Sequence, residues 1–111
     1  MKEFTYNDAN GLNVHVIANG YERLAQVYGN LKSTHKQNNN VLVFPGNSEM
    51  WTKHRPVGND IIGLTYNKDI ILSSRLYRDN KQSQIQIYPE FADLESGTVR
   101  MQFNYISEVN I

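Results

Sequence analysis

Residues 19–34, NGYERLAQVYGNLKST, decide how this chain is read. Tyr21, Leu24, Ala25, Tyr28 and Leu31 recur at helical spacing and predict one apolar stripe. Asn19 stands as an N-cap, and Glu22, three residues later, completes a capping-box pattern. On this reading Tyr21 and Tyr28 pack into the core beside Leu24 and Leu31 rather than forming a stacking platform. Gly29 is the weak point, because inside a helix it costs up to about 1 kcal/mol relative to Ala. It marks either a close approach to a sheet or an earlier helix end at Asn30.

Around this stretch the pattern is that of strands. KEFTYNDANGLNVHVI reads as a hairpin turning at Asn10-Gly11, a pair suited to positive φ. Leu12, Val14 and Val16 share one face of its return strand, which leaves His15 on the more polar face. VLVF, residues 41–44, is wholly apolar and predicts a central strand covered on both sides, stopped by Pro45-Gly46. A long connection over residues 45–59 follows. DIIGLTYNKDIILSS, residues 60–74, predicts a second hairpin turning near YNKD, with Ile70 and Leu72 inward. RLYRDNKQ, residues 75–82, reads as charged surface, and SQIQIYPE alternates with Ile85 and Ile87 inward. After the acidic loop EFADLESG, TVRMQFNYI places Val99, Met101, Phe103 and Tyr105 on one face. Ile106, Val109 and Ile111 are then left to be buried, in the chain's own core or against a neighbouring subunit's sheet.

Together these segments predict one α+β domain over residues 1–111. Its architecture is an antiparallel or mixed sheet of about five to seven short strands, with one helix packed on one face. The 14 Asn residues fit many tight connections, since Asn tolerates left-handed backbone.

Composition narrows the chemistry. No Cys is present, which excludes disulfides, Cys-ligated zinc, iron–sulfur clusters and thiol catalysis. The start, MKEFTYND, lacks the apolar run of a signal peptide, and no run approaches the roughly 20 apolar residues of a membrane span. The expectation is a soluble cytoplasmic protein with no cofactor. The formal net charge is zero, but its distribution is uneven. Residues 32–81 carry eight Lys or Arg against four acids, and residues 82–111 carry one against four. The middle segment is therefore a candidate basic face.

Glycine loops for phosphate and the HExxH zinc motif are missing. His15, His35 and His54 are about twenty residues apart and form no i,i+4 pair, so no metal is expected. LSSR, residues 72–75, follows a strand but carries no nucleophile-elbow pattern. The best enzymatic reading is a small metal-independent ribonuclease. Glu49 or His35 would act as base, His54 as acid, and Lys53, Arg55 or Arg75 as the clamp on phosphorane charge. A nucleic-acid-binding reading uses Lys53, His54, Arg55, Arg75 and Arg78 on phosphates, with Trp51, Tyr66 or Tyr77 stacking on bases.

The leading reading is a non-enzymatic interaction or assembly protein (adaptor, inhibitor or structural subunit), whose partner is a protein or a second copy. It uses exposed strand edges and the loop MWTKHRP, residues 50–56, where Trp51 beside Arg55 has the composition of an interface anchor. Trp51 would hold that loop down while Lys53, His54 and Arg55 point outward.

Overall fold

Residues 19–31 are not a helix. The structure, a computed structural model, describes residues 1–7, 12–32, 42–44, 48–59, 61–89 and 97–111. In chain order its strands are β1 (Lys2–Asn7), β2 (Asn13–Asn19), β3 (Glu22–Leu31), β4 (Leu42–Phe44), β5 (Ile61–Asn67), β6 (Ile70–Asp79), β7 (Gln84–Pro89) and β8 (Gly97–Ile106). The one α-helix described, α1, runs Glu49–His54. The Asn10-Gly11 and Pro45-Gly46 turns, the acidic loop over 90–96 and His35 lie outside the described residues.

Asn19-Gly20 is a hairpin turn and not a cap. Asn19 pairs with Glu22, leaving the two-residue loop Gly20-Tyr21, and Gly20 supplies the positive φ of 63° that this loop needs. Arg23, Ala25, Val27 and Leu31 then point inward with a period of two, while Tyr21 and Tyr28 stay exposed. The helical spacing of Leu24 and Tyr28 arises because they lie on an outer face that is itself apolar.

The strands form one antiparallel sheet in the order β1-β2-β3-β8-β5-β6-β7-β4. Seven of them are six to ten residues long, and the three-residue β4 is added at the edge. The α+β class, with an antiparallel sheet and one short helix on one face, is as expected. The helix is not where it was expected, because it lies inside the connection read as a loop. Leu42–Phe44 is an edge strand paired with β7, which corrects its reading as a central strand. An apolar run alone does not distinguish the two positions.

The hairpin of β5 and β6 turns at Lys68-Asp69, as expected, but β6 continues to Asp79. Residues 75–79 are thus strand, with Leu76 buried, and Ile70 at the strand's start is exposed while Leu72 is buried. The alternation in β7 and β8 holds: Ile85, Ile87, Val99, Met101, Phe103 and Tyr105 are all buried. Residues 107–111 fold back onto the β2–β3 turn. The backbones of Gly20 and Ile111 exchange two hydrogen bonds (3.1 and 3.0 Å), and Ser107 N–H donates to the Tyr21 carbonyl at 2.8 Å. Ile106 is nearly half exposed, contrary to expectation, because it continues the outward register of β8.

The sheet is strongly curled. Phe4 of β1 lies 4.8 Å from the His54 ring, and the Arg78 guanidinium of β6 lies 5.3 Å from Trp51 of the same short helix. In a flat sheet five steps of about 4.8 Å would separate β1 from β6 by roughly 24 Å. The inner face therefore wraps around α1, whose Met50 joins the core.

Gly63 marks the tightest crossing in this wrap. A Cβ there would overlap the Phe103 ring and the Gln102 carbonyl of β8. Gly63→Ala is expected to destabilise the fold by about 1–3 kcal/mol. Urea unfolding should show a lower midpoint at unchanged m-value, and an unchanged midpoint would refute this contact.

Candidate functional site

Ser48 caps α1 by accepting from the Trp51 N–H (3.4 Å), with Glu49 in the first turn and Lys53 and His54 in the last. Met50 and His54, four residues apart, face the same way, and that way is inward. His54 is fully buried, contrary to its expected outward position, because it belongs to a helix rather than a loop.

Its ring is held from both sides. Arg23 Nε–H donates to His54 Nδ1 at 2.9 Å, so Nδ1 must present its lone pair. The ring proton then sits on Nε2, which donates to the Tyr6 hydroxyl at 2.8 Å. Burial, with the nearby Arg23 and Lys53 charges, pushes His54 down to about 4, so the ring is neutral at pH 7. Burial raises the Tyr6 hydroxyl to about 12, helped by the Glu49 carboxylate and opposed by Arg23.

Arg23 is itself buried, and among the described residues no carboxylate pairs with it. Its remaining donors go to the carbonyls of Gly20 (2.7 Å), Glu22 (2.9 Å), Lys53 (3.2 Å) and Val109 (2.6 Å). All five guanidinium hydrogens are thereby used, which offsets the cost of burying the charge. Tyr105 adds a bond from its hydroxyl to the His54 carbonyl at 2.7 Å, and burial raises its pKa.

Around Trp51 the arrangement is ionic. Glu108 accepts from Arg55 Nε and, at 2.6 Å, from Arg78 Nη1, and both guanidiniums lie over the indole at 5.7 and 5.3 Å. These two arginine hydrogen bonds hold the Glu108 carboxyl down to about 2. Trp51 thus pins its segment to the body of the protein, with Arg55 and Arg78 committed to it. Lys53 remains at the surface, paired with Glu49 at 3.3 Å.

Of the residues proposed for phosphodiester cleavage, Glu49, Lys53, His54 and Arg55 lie on or next to α1, Arg75 lies on β6, and His35 is outside the described residues. His54 faces the core, whereas Arg75 lies between the inward residues Ser74 and Leu76 and so faces the opposite side of the sheet. Ser74 of LSSR is mid-strand and buried, hydrogen-bonded to the Thr65 hydroxyl. Among the described residues no His, Cys, Asp and Glu cluster is placed to hold a metal. No helix among them is long and apolar enough to cross a membrane.

The outer face of the sheet, opposite α1, is the conspicuous surface. Ile62, Leu64 and Tyr66 of β5 and Ile71 of β6 are 49–67% exposed side by side. Tyr28 of β3, Arg100 of β8, Tyr66 and Ile71 form one row across four strands, by their pairing register. A groove of about 550 Å³ runs along this row. Sequence reading assigned Tyr28 to the core and Tyr66 to base stacking, and left Ile62, Leu64 and Ile71 without a position. Arg23, Tyr6 and Glu108 were missed too, and an inward Arg has no sequence signature once its segment is read as a helix.

Comparison with protein-family models, with curated proteins and with solved structures finds no match to this chain.

Protonation of His54 must break its bond from Arg23, so acid weakens the fold. The folded-state pKa lies below the usual 6.5, so this stability is complete above pH 6.5 and is lost as pH falls towards 4. At about 1.4 kcal/mol per unit the loss is about 3 kcal/mol. The Glu108 loss follows in a lower window, from pH 4.5 towards 2. Denaturant unfolding of wild type and His54→Gln across pH 4–7 checks this. The variant should lack the upper window, and equal slopes in both proteins would refute it.

Proposed function

We propose that this chain is a non-enzymatic protein-interaction or assembly module whose contact surface is the outer face of β3, β8, β5 and β6. The observation that carries this reading is the contiguous exposure of Ile62, Leu64, Tyr66 and Ile71 beside Tyr28. Apolar and aromatic side chains grouped on one face have the character of an interaction site, whereas scattered ones do not. Tyr and Arg are also the residues enriched in interface cores. On the opposite face, among the described residues, Arg23, His54, Tyr6 and Tyr105 at α1 are bonded within the protein. This moves the surface away from Trp51–Arg55, where the charged groups serve the fold. Lys53 stays accessible there, paired with Glu49.

A second reading rests on one observation. The row Tyr28, Arg100, Tyr66 alternates aromatic and cationic side chains across three strands, as a platform for unpaired bases does. Zero net charge weighs against it.

The test compares immobilised wild type with the Leu64→Asp/Ile71→Asp variant and with Lys53→Glu, all checked for an unchanged melt. Partner retention should be lost in the face variant and kept in Lys53→Glu. Retention that follows Lys53 instead would overturn the placement. A salt-sensitive gel shift with single-stranded RNA, lost in Arg100→Ala, would favour the second reading.

A further inference from the structure

Along β3 and β8 the outer face carries one charge at each end. Glu22 of β3 pairs in register with Ile106, and Arg100 of β8 pairs with Tyr28, six residues along the same two strands. That spacing is roughly 20 Å at about 3.4 Å per residue. Both side chains are exposed, and among the described residues neither forms a hydrogen bond or an ion pair through its charged group. Between them lie a row of Gln26, Gln102 and Leu64, then Leu24 and Asn104 with Ile62 nearby. A second groove of about 530 Å³ continues along Leu24, Asn104 and Ile106 to Glu22. The face is thus a strip uncharged along β3 and β8 and apolar along β5, with Arg75 of β6 beside Ile62, and with a cation at one end and an anion at the other.

We propose that the partner of this face is a second copy of the chain, docked sheet to sheet about a two-fold axis. The proposal rests on the interaction reading above and names its partner. Two orientations of such an axis lie in the plane between the sheets. An axis along the strands would set Arg100 beside Arg100 and Glu22 beside Glu22. An axis across the strands exchanges the two ends, so each Arg100 comes over the Glu22 end of the other copy, one strand to the side of Glu22 itself. Opposite charges select the second orientation and fix the register, which is what charges at an interface rim do. The same operation lays Leu64 against Ile62 of the other copy, apolar on apolar. Two aligned sheets packed in this way form a sandwich about 10 Å thick, a distance that Arg and Glu side chains span together. Four strands and four side-chain rows cover roughly 19 by 27 Å in projection, which is of the order of the about 800 Å² per partner in a standard interface. The contact is isologous, so two identical ion pairs form.

The experiment measures mass in solution by sedimentation equilibrium at roughly 10–100 μM, where an interface of standard size is populated. Wild type should give twice the chain mass of 12.8 kDa. Arg100→Glu alone and Glu22→Arg alone each place like charges at both ends and should fall to the single-chain mass. An equimolar mixture of the two variants restores both opposite-charge pairs and should return to twice the mass. A monomeric wild type, variants that remain dimeric, or a mixture that stays monomeric would each overturn the second-copy assignment. The outcomes also separate the two readings. A monomeric wild type whose partner retention is still lost in Leu64→Asp/Ile71→Asp keeps the interaction face and removes the second copy. A dimer that survives every one of these substitutions removes both.

Discussion

The fold depends on how one buried guanidinium is satisfied. Arg23 has no carboxylate among the described residues, yet each of its five N–H groups meets an acceptor. Those acceptors come from three places distant in sequence: the β2–β3 turn at Gly20 and Glu22, the end of α1 at Lys53 and His54, and the tail at Val109. A charge in a low-dielectric site tolerates no missing partner, so all three must be in place together. The carbonyl of Lys53, at the C-terminal end of α1, also presents the negative end of the local dipoles. The guanidinium therefore acts as a fixed junction, from which Tyr6 and Tyr105 extend the network to β1 and β8.

This junction explains the asymmetry of the molecule. The inner face curls around a short helix and consumes nearly every polar group there, including the only imidazole of the central connection. At α1 the His54 ring is enclosed by Arg23 and Tyr6, while Glu49 and Lys53 pair at the surface. The outer face has the opposite character, with large apolar side chains in the open and, among the described residues, Arg100 and Glu22 without an ion pair at its ends. A large apolar area left open on one face has the character of a contact surface.

The same inversion decided what could be read from the sequence. TVRMQFNYI was legible because its inward residues are large and apolar and its outward ones polar, which is the ordinary pattern of a half-exposed strand. SQIQIYPE was legible for the same reason. NGYERLAQVYGN was not. Its inward set includes Arg23 and its outward set includes Leu24 and Tyr28, so the polarity of the two faces is mixed and a helical period fits by coincidence. Asn19-Gly20 held the contrary signal, since that dipeptide favours a hairpin turn, but it also suits a helix cap. In β6, Arg75 and Arg78 likewise disguised a strand as charged surface. Trp51 as an anchor of its connection was legible, whereas Glu108, which accepts from the two arginines over that indole, depended on tertiary placement.

The most direct test of this account is amide hydrogen exchange in Arg23→Met, which keeps the bulk and removes the donors. Ser107 and Ile111, bonded to Tyr21 and Gly20, should lose protection together with Thr52 at the start of α1. The amides of β5 and β8 in the middle of the sheet should keep theirs. Protection that stays unchanged at the turn, the tail and the helix, or that is lost at one of them alone, would contradict a common junction at Arg23.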